Sequence, residues 1–494
     1  MERFHDSYQS IGAQVEAGIT NKKYADKLLL GVIVAENDKD IQTGVTMDQV
    51  FGARTSRSGS VIPTLKYRKA NIFVKGLDLS IYSAFNMTRN HFIDTTRLRY
   101  NWLQETTPTS TAEQSRSQLK NRDNETLITS NLNYQLTGHH SLSLNYVMTD
   151  FGRKSSDVEN LDNPTFRYPQ HLNKQIAGLA WQAKYERFTA TAFSKLFVLD
   201  AESFEQVSNG TGVSEYRKSS RKTTNIGYGI AGAYFLLPLL QVKASFEHTF
   251  RLPEAVELLG DGLYTRRNSA LKPESSDNIN IGALYSLDVN ADNKFNFEVN
   301  YILRNSKDYI RLDQAQSQPI DRQYINIGDV QTNGVEGEIR YTWKNRLRVS
   351  ANATFQSIID KQRFISTTNF QGTVISPNLG YGYRIPNTPY LFGNAGVGYL
   401  IRNVGGKGNN LDVSYSLNYT KEYYLTPHQL GANNQDIIPT QAAHNLLLSY
   451  TLKEGRYNVS VECRNLADKE LFDNYLLQKP GRSYFIKLRY FISK

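Results

Sequence analysis

Apolar and polar residues alternate along this chain in short runs that recur from end to end. The clearest run covers residues 346 to 357, where Leu347, Val349, Ala351, Ala353 and Phe355 share one face and Arg346, Arg348, Ser350, Asn352, Thr354 and Gln356 share the other. A repeat of two is the period of a β-strand, whose successive side chains point to opposite faces. The same period sets Phe295, Phe297, Val299 and Tyr301 against Lys294, Asn296, Glu298 and Asn300, and Val335, Ile339, Tyr341 and Trp343 against Glu336, Glu338 and Arg340. Near the end, Tyr457, Val459, Val461 and Cys463 alternate with Arg456, Asn458, Ser460, Glu462 and Arg464. Runs of about ten alternating residues, repeated along a whole chain, are the pattern of a transmembrane β-barrel.

A large soluble sandwich also alternates, and the connections decide between the two. Short turns at Tyr67 to Ala70, Thr137 to His140, Glu186-Arg187, Pro238, Lys344-Asn345 and Lys453 to Gly455 are interleaved with long loops at 35–57, 87–122, 151–173, 199–222, 251–276, 306–328 and 358–387. Membrane barrels carry short turns on the periplasmic side and long loops outside. So many long loops are uncommon in a compact soluble domain. Aromatic residues crowd the strand ends beside the short turns, at Tyr67, Tyr134, Tyr185, Tyr234, Phe235, Tyr341, Trp343, Tyr450 and Tyr457, as an interfacial girdle does.

The pattern therefore predicts an all-β fold, a transmembrane antiparallel β-barrel with about 19 strands, the first over residues 8–20 and the last over 482–491, with Phe92 to Leu103 counted as loop. The first and last of these strands both run toward the periplasm. A barrel whose ends meet there needs an even count, and plugged outer-membrane transporters have about 22 strands. Residues 1–494 are thus expected to be a partial barrel, with a signal peptide, a plug and about three strands upstream.

Composition narrows this picture without redirecting it. Only 39% of the chain is hydrophobic and the mean hydropathy is -0.50. The longest apolar stretches, Leu28 to Ala35 and Ile230 to Leu240, fall short of the roughly 20 residues a spanning helix needs. The chain holds 31 Tyr and 23 Phe against 4 Met, a balance that favours pleated strands. A net charge of +10 would suit nucleic acid or an anionic surface, but the Lys and Arg are scattered over strands and connections, so nucleic acid is not expected; the barrel itself makes outer-membrane lipid the expected partner. Cys463 is the only cysteine, which excludes an intrachain disulfide. The histidines form no HExxH pair, His139-His140 falls in a short turn, and Gly405 to Gly408 lacks the spacing of a phosphate loop. No enzyme activity, metal or cofactor is predicted.

Several segments resemble the TonB-dependent outer-membrane receptors. Phe250-Arg251-Leu252-Pro253-Glu254-Ala255-Val256-Glu257-Leu258, followed by Asn268, Leu271, Pro273, Glu274 and Ser275, is similar to the family's most specific stretch. Asn326 to Tyr341 with Gly334-Val335-Glu336, the run Arg384 to Pro389, and Asn465 to Asp468 with Pro480-Gly481-Arg482 resemble later barrel segments. The overall texture is closest to receptors of Bacteroidetes-type bacteria. The resemblance implies an outer-membrane receptor that takes up a scarce extracellular small ligand, such as an iron chelate, cobalamin or glycan. It also implies energy coupling to the inner-membrane protein TonB through an N-terminal part, and, for a glycan, a companion surface lipoprotein. Two departures stand out: the family's plug and coupling box are not present in these residues, and the chain closes on Phe491-Ile492-Ser493-Lys494 rather than on an aromatic residue.

The same stretch supplies the candidate site. Arg251, Glu254 and Glu257 open a long outer loop beside Pro253, and Tyr264 and Asn268 follow in that loop. They offer charge where a ligand or plug passes; the plainer role is to anchor the loop through hydrogen bonds and ion pairs. A passive outer-membrane pore or structural barrel is the alternative reading of the chain, and a soluble adhesion protein a third.

Overall fold

The structure, a computed structural model, describes residues 3–44, 47–161, 166, 169–208, 214–261, 265–313, 322–369, 372–425 and 436–492. Among the described residues nineteen strands form one sheet. They are Tyr8–Lys22 (β1), Ala25–Asp40 (β2), Thr55–Lys69 (β3), Leu77–Asp94 (β4), Ser117–Gln135 (β5), His140–Asp157 (β6), Gln170–Lys184 (β7), Phe188–Ser208 (β8), Ser214–Leu237 (β9), Leu240–Arg251 (β10), Glu274–Asn290 (β11), Asn293–Lys307 (β12), Val330–Trp343 (β13), Leu347–Asp360 (β14), Leu391–Arg402 (β15), Asn410–Thr420 (β16), Gln441–Leu452 (β17), Tyr457–Arg464 (β18) and Ser483–Tyr490 (β19). The number matches the sequence reading. Among the described residues no helix is long and apolar enough to cross a membrane.

The chain divides into two compact units. The first comprises Met1–Ile230, Glu247–Ser276 and Lys307–Ile327; the second comprises Ala231–Phe246, Asp277–Ser306 and Gly328–Lys494. Within the first, β1 to β8 pair in sequence order, each antiparallel to the next. Within the second, β12 to β19 do the same. The short turns follow from their residues. Between β13 and β14, Lys344 and Asn345 both take positive φ, at 50° and 51°, which is the type I′ geometry whose twist matches flanking strands.

Side-chain exposure separates the two faces of the wall. On β2, Leu30, Val32 and Val34 are exposed; on β12, Phe297, Val299 and Tyr301; on β19, Tyr484, Ile486, Leu488 and Tyr490. Each set falls on alternate positions, so apolar residues line the face that meets lipid while polar partners line the lumen face. Aromatics at the short-turn ends are also open, with Tyr185, Tyr234, Phe235 and Tyr457 all exposed. His139 stacks on Tyr185 and His140 on Trp181, at 4.6 and 5.6 Å between ring centres.

The main difference from the sequence reading lies in the long connections. Strand structure continues through much of the segment expected to be a loop at 199–222, since β8 runs to Ser208 and β9 begins at Ser214. The reason is packing: Leu199 and Ala201 keep the period and bury on the lumen face. Likewise β4 reaches Asp94, and Leu98–Tyr100 pairs with Thr106–Pro108 in a separate hairpin. Strands of 15 to 19 residues in β1 to β7 exceed the roughly 9–11 residues that cross the bilayer, so their outer parts stand above it.

Candidate functional site

The site is built where β10 ends. Pro253 stops the strand because it has no N–H to give the ladder, and Glu254 begins a single helical turn, Ala255–Leu259 (α1). Glu257 sits at the third position of that turn and accepts the Glu254 N–H at 2.8 Å, the reciprocal arm of a capping box. Its other oxygen takes the Arg251 guanidinium. Gly260 closes the turn at φ 72°, and a Cβ there would meet the Thr265 carbonyl oxygen at 2.4 Å, so only glycine fits.

The helix folds back onto the lumen face of the wall. Leu258 and Leu259 are buried with Leu252 and Leu271 against Leu172 of β7, Phe197, Leu199 and Ala201 of β8, and Ile310. Each such side chain contributes about 1.5–3 kcal/mol on burial. Polar groups complete the closure. Arg153 of β6 holds Asp123 of β5 through two bonds of 2.8 Å and donates to the Gly260 carbonyl at 3.2 Å. Gln170 donates to the Leu259 carbonyl at 3.2 Å. The carbonyls at the end of α1 are thereby satisfied by wall residues.

A small sheet extends the same cluster. Thr265–Arg266 pairs parallel with Arg322–Ile327, which pairs antiparallel with Tyr309–Asp313. Asn268 donates through Nδ2 to the Tyr324 carbonyl at 2.7 Å, and its Oδ1 accepts from Ala270. Asn326 ties Lys272 to the Asp308 carbonyl.

Of the five residues singled out from sequence, Arg251, Glu254, Glu257 and Asn268 meet in this cluster, while Tyr264 lies outside the described residues. Glu257 uses its polar atoms inside the loop, and Asn268 divides its between the loop and the Tyr324 carbonyl. The Arg251 and Glu254 side chains stay 44% and 60% open, Glu254 reaching Lys174 of β7 at 2.6 Å. Sequence reasoning missed Lys174, Arg153 and Asp123. No local signal marks them, since strand register alone brings them to the loop.

A second outer cluster joins the segments before β3 and after β4. Arg54 is fully buried between the rings of Phe51 and Phe92, whose centres lie 4.0 and 4.9 Å from its guanidinium carbon. It faces Asp94 at 3.6 Å and donates to Gln114 at 2.8 Å. Asp94 also accepts the backbone N–H groups of Glu113, Gln114 and Ser115. The Glu113 carboxylate accepts those of Gly52 and Ala53. Burial pulls Arg54 down to about 10 against the attraction of Asp94 and Glu113. Burial likewise pushes the Glu113 carboxyl up, with the two backbone donors opposing. Neither arrangement presents a nucleophile with a base, and among the described residues no group of three or more His, Cys, Asp or Glu side chains could hold a metal ion.

A strand-built wall with outer loops folded onto its lumen face defines a membrane receptor barrel. The family described as "TonB dependent receptor-like, beta-barrel" matches residues 16–466, and the chain belongs to it. Solved structures share the fold. The FrpB iron transporter from Neisseria meningitidis (F3-3 variant) is 13% identical with a TM-score of 0.66, covering 98% of this chain and 71% of that one. The copper transporter OprC is 13% identical with a TM-score of 0.68, covering 98% and 72%. The siderophore receptor PiuA from Acinetobacter baumannii is 10% identical with a TM-score of 0.69, covering 98% and 74%. No curated protein sequence matches the chain. The protein is thus an outer-membrane receptor barrel of this family and not an enzyme.

Proposed function

We propose that this barrel takes up a scarce extracellular ligand by energy-coupled import, working with a plug and with the inner-membrane protein TonB. Iron chelates head the ligand classes, ahead of cobalamin or a glycan with its companion lipoprotein, because the structural neighbours include an iron transporter and a siderophore receptor. The similarity of its motifs to receptors of Bacteroidetes-type bacteria supports that origin. The observation that carries the reading is the outer loop of α1, which is bound down on the lumen face yet leaves Arg251 and Glu254 open there. A passive pore has no use for charge held at that level by a dedicated fold. On this reading Arg251 and Glu254 meet the ligand first, while Glu257 and Asn268 hold the loop that presents them.

The test uses the full-length protein in cells starved of iron and supplied with single ferric chelates. Deleting the gene should abolish growth on at least one chelate, and Arg251→Ala with Glu254→Ala should weaken capture of that chelate without lowering the amount of folded barrel. Growth on every chelate after deletion, together with open-channel conductance of the purified protein, would instead establish a pore.

A further inference from the structure

The lipid-facing side of β3 to β6 changes character along its length. On β4 the row Leu79, Ile81, Ser83, Phe85 and Met87 is mostly apolar, and the next two positions on that face are Arg89 and His91. From Leu79 to Met87 the strand rises about 27 Å, or roughly 20 Å along the membrane normal at a tilt near 40°. That nearly uses up the apolar band, which is about 25 Å tall. Arg89 therefore stands at the outer leaflet's headgroups.

Neighbouring strands place more cations at this level. Arg89 lies opposite Arg122 of β5, and Arg122 lies opposite Lys154 of β6. One step higher, Arg57 of β3 lies opposite His91, and His91 opposite Lys120. Asp38 of β2 pairs with Arg57 at 2.9 Å. Among the described residues, Arg89, Lys120, Arg122 and Lys154 make no ion pair, and all four are exposed. His91 Nε2 is buried and has no hydrogen-bond partner among the described residues. Like charges directly opposite each other destabilise a sheet, so a row of three cations without an ion pair, with Lys120 unpaired one step above, calls for anions from outside the chain. The lumen side of the same strands shows the contrast, since Asp123 and Arg153, adjacent to Arg122 and Lys154, neutralise each other.

We infer that Arg57, Arg89, His91, Lys120, Arg122 and Lys154 form a docking surface for the phosphorylated glycolipid headgroup of the outer leaflet. The apolar residues below, Phe85, Met87 and Val61, meet its acyl chains. The guanidinium groups of Arg89 and Arg122 suit bidentate contact with phosphate, and the lipid's two ends thereby match the two halves of the strip.

The experiment takes the full-length protein from outer membranes in mild detergent and measures lipid A retained by native mass spectrometry and lipid A rebound in titration. The variant carries Arg89→Gln, Arg122→Gln and Lys154→Gln, with Arg122→Gln alone as a milder change should the triple variant not fold, and heat-modified gel migration reports folding. The expected result is retention by the unaltered protein and binding at least about tenfold weaker in the triple variant. Lipid A stripped of its phosphates should bind the unaltered protein as weakly, and inorganic phosphate at the same concentration should not compete. Equal binding by the folded variant, equal binding of phosphate-free lipid A, or competition by inorganic phosphate at that concentration would overturn the inference.

Discussion

Two outer-loop clusters are fastened to the wall by opposite means. The α1 loop is sealed by apolar packing, with Leu252, Leu258, Leu259 and Leu271 against Leu172, Phe197 and Leu199, and its charged pairs, Arg251–Glu257 and Lys174–Glu254, each keep one side chain open to water. The segments on either side of β3 and β4 are sealed by a buried charge, Arg54, with its rings and acids around it. The two loops therefore yield in different ways. An apolar seal weakens gradually as area is removed, whereas a buried ion fails abruptly once its partner is lost.

Asp94→Ala should have the largest effect. It strands the Arg54 charge and three backbone donors, at a local cost of about 3–5 kcal/mol. Hydrogen exchange should accelerate across 47–54 and 95–116 while α1 stays protected. Arg54→Met should cost less, because Asp94 keeps its three backbone N–H partners. Leu258→Ala comes next, at about 2–4 kcal/mol for emptying a fully buried site. Exchange should then rise in 255–259 and leave Gly52 and Ala53 unchanged. Glu257→Gln should cost about 1–2 kcal/mol, since the amide can still accept the Glu254 N–H but loses the Arg251 charge, and the α1 amides report it. The smallest effect is on pH. Glu159 is held below its ordinary value of 4.5 by Arg116 and then Gln118. Its contribution is complete above that value and disappears as pH falls through the lower folded one. The Glu159 amide should exchange faster there, and Arg116→Gln should weaken the dependence, leaving the part that Gln118 supplies.

Much of the fold was legible in sequence because a wall one residue thick obeys a single rule, with lipid on one side and water on the other. The strand number, the strands at both ends of the chain and the faces of β12, β13, β14 and β18 follow from it. The upper ends of β8 and β9 did not, because above the bilayer the pattern answers to a folded loop instead of to lipid. In the site, Arg251, Glu254, Glu257 and Asn268 lie in one contiguous stretch and could be found together. Lys174 is 80 positions from Glu254, and only register places it. Arg54, Asp94 and Glu113 read as ordinary loop charges, since nothing local shows that two rings and a hairpin bury them. The cations of the lipid-facing strip were hidden in the same way, each one being simply polar until cross-strand pairing aligned them.

The proposed energy-coupled import makes uptake through this barrel depend on TonB. Its most direct test is uptake of radiolabelled iron from the chelate that supports growth, measured in cells with the intact gene, with and without TonB. Uptake should saturate with chelate, disappear when TonB is deleted, and fall in the Arg251→Ala, Glu254→Ala variant. Uptake that rises linearly with concentration and persists without TonB would contradict it.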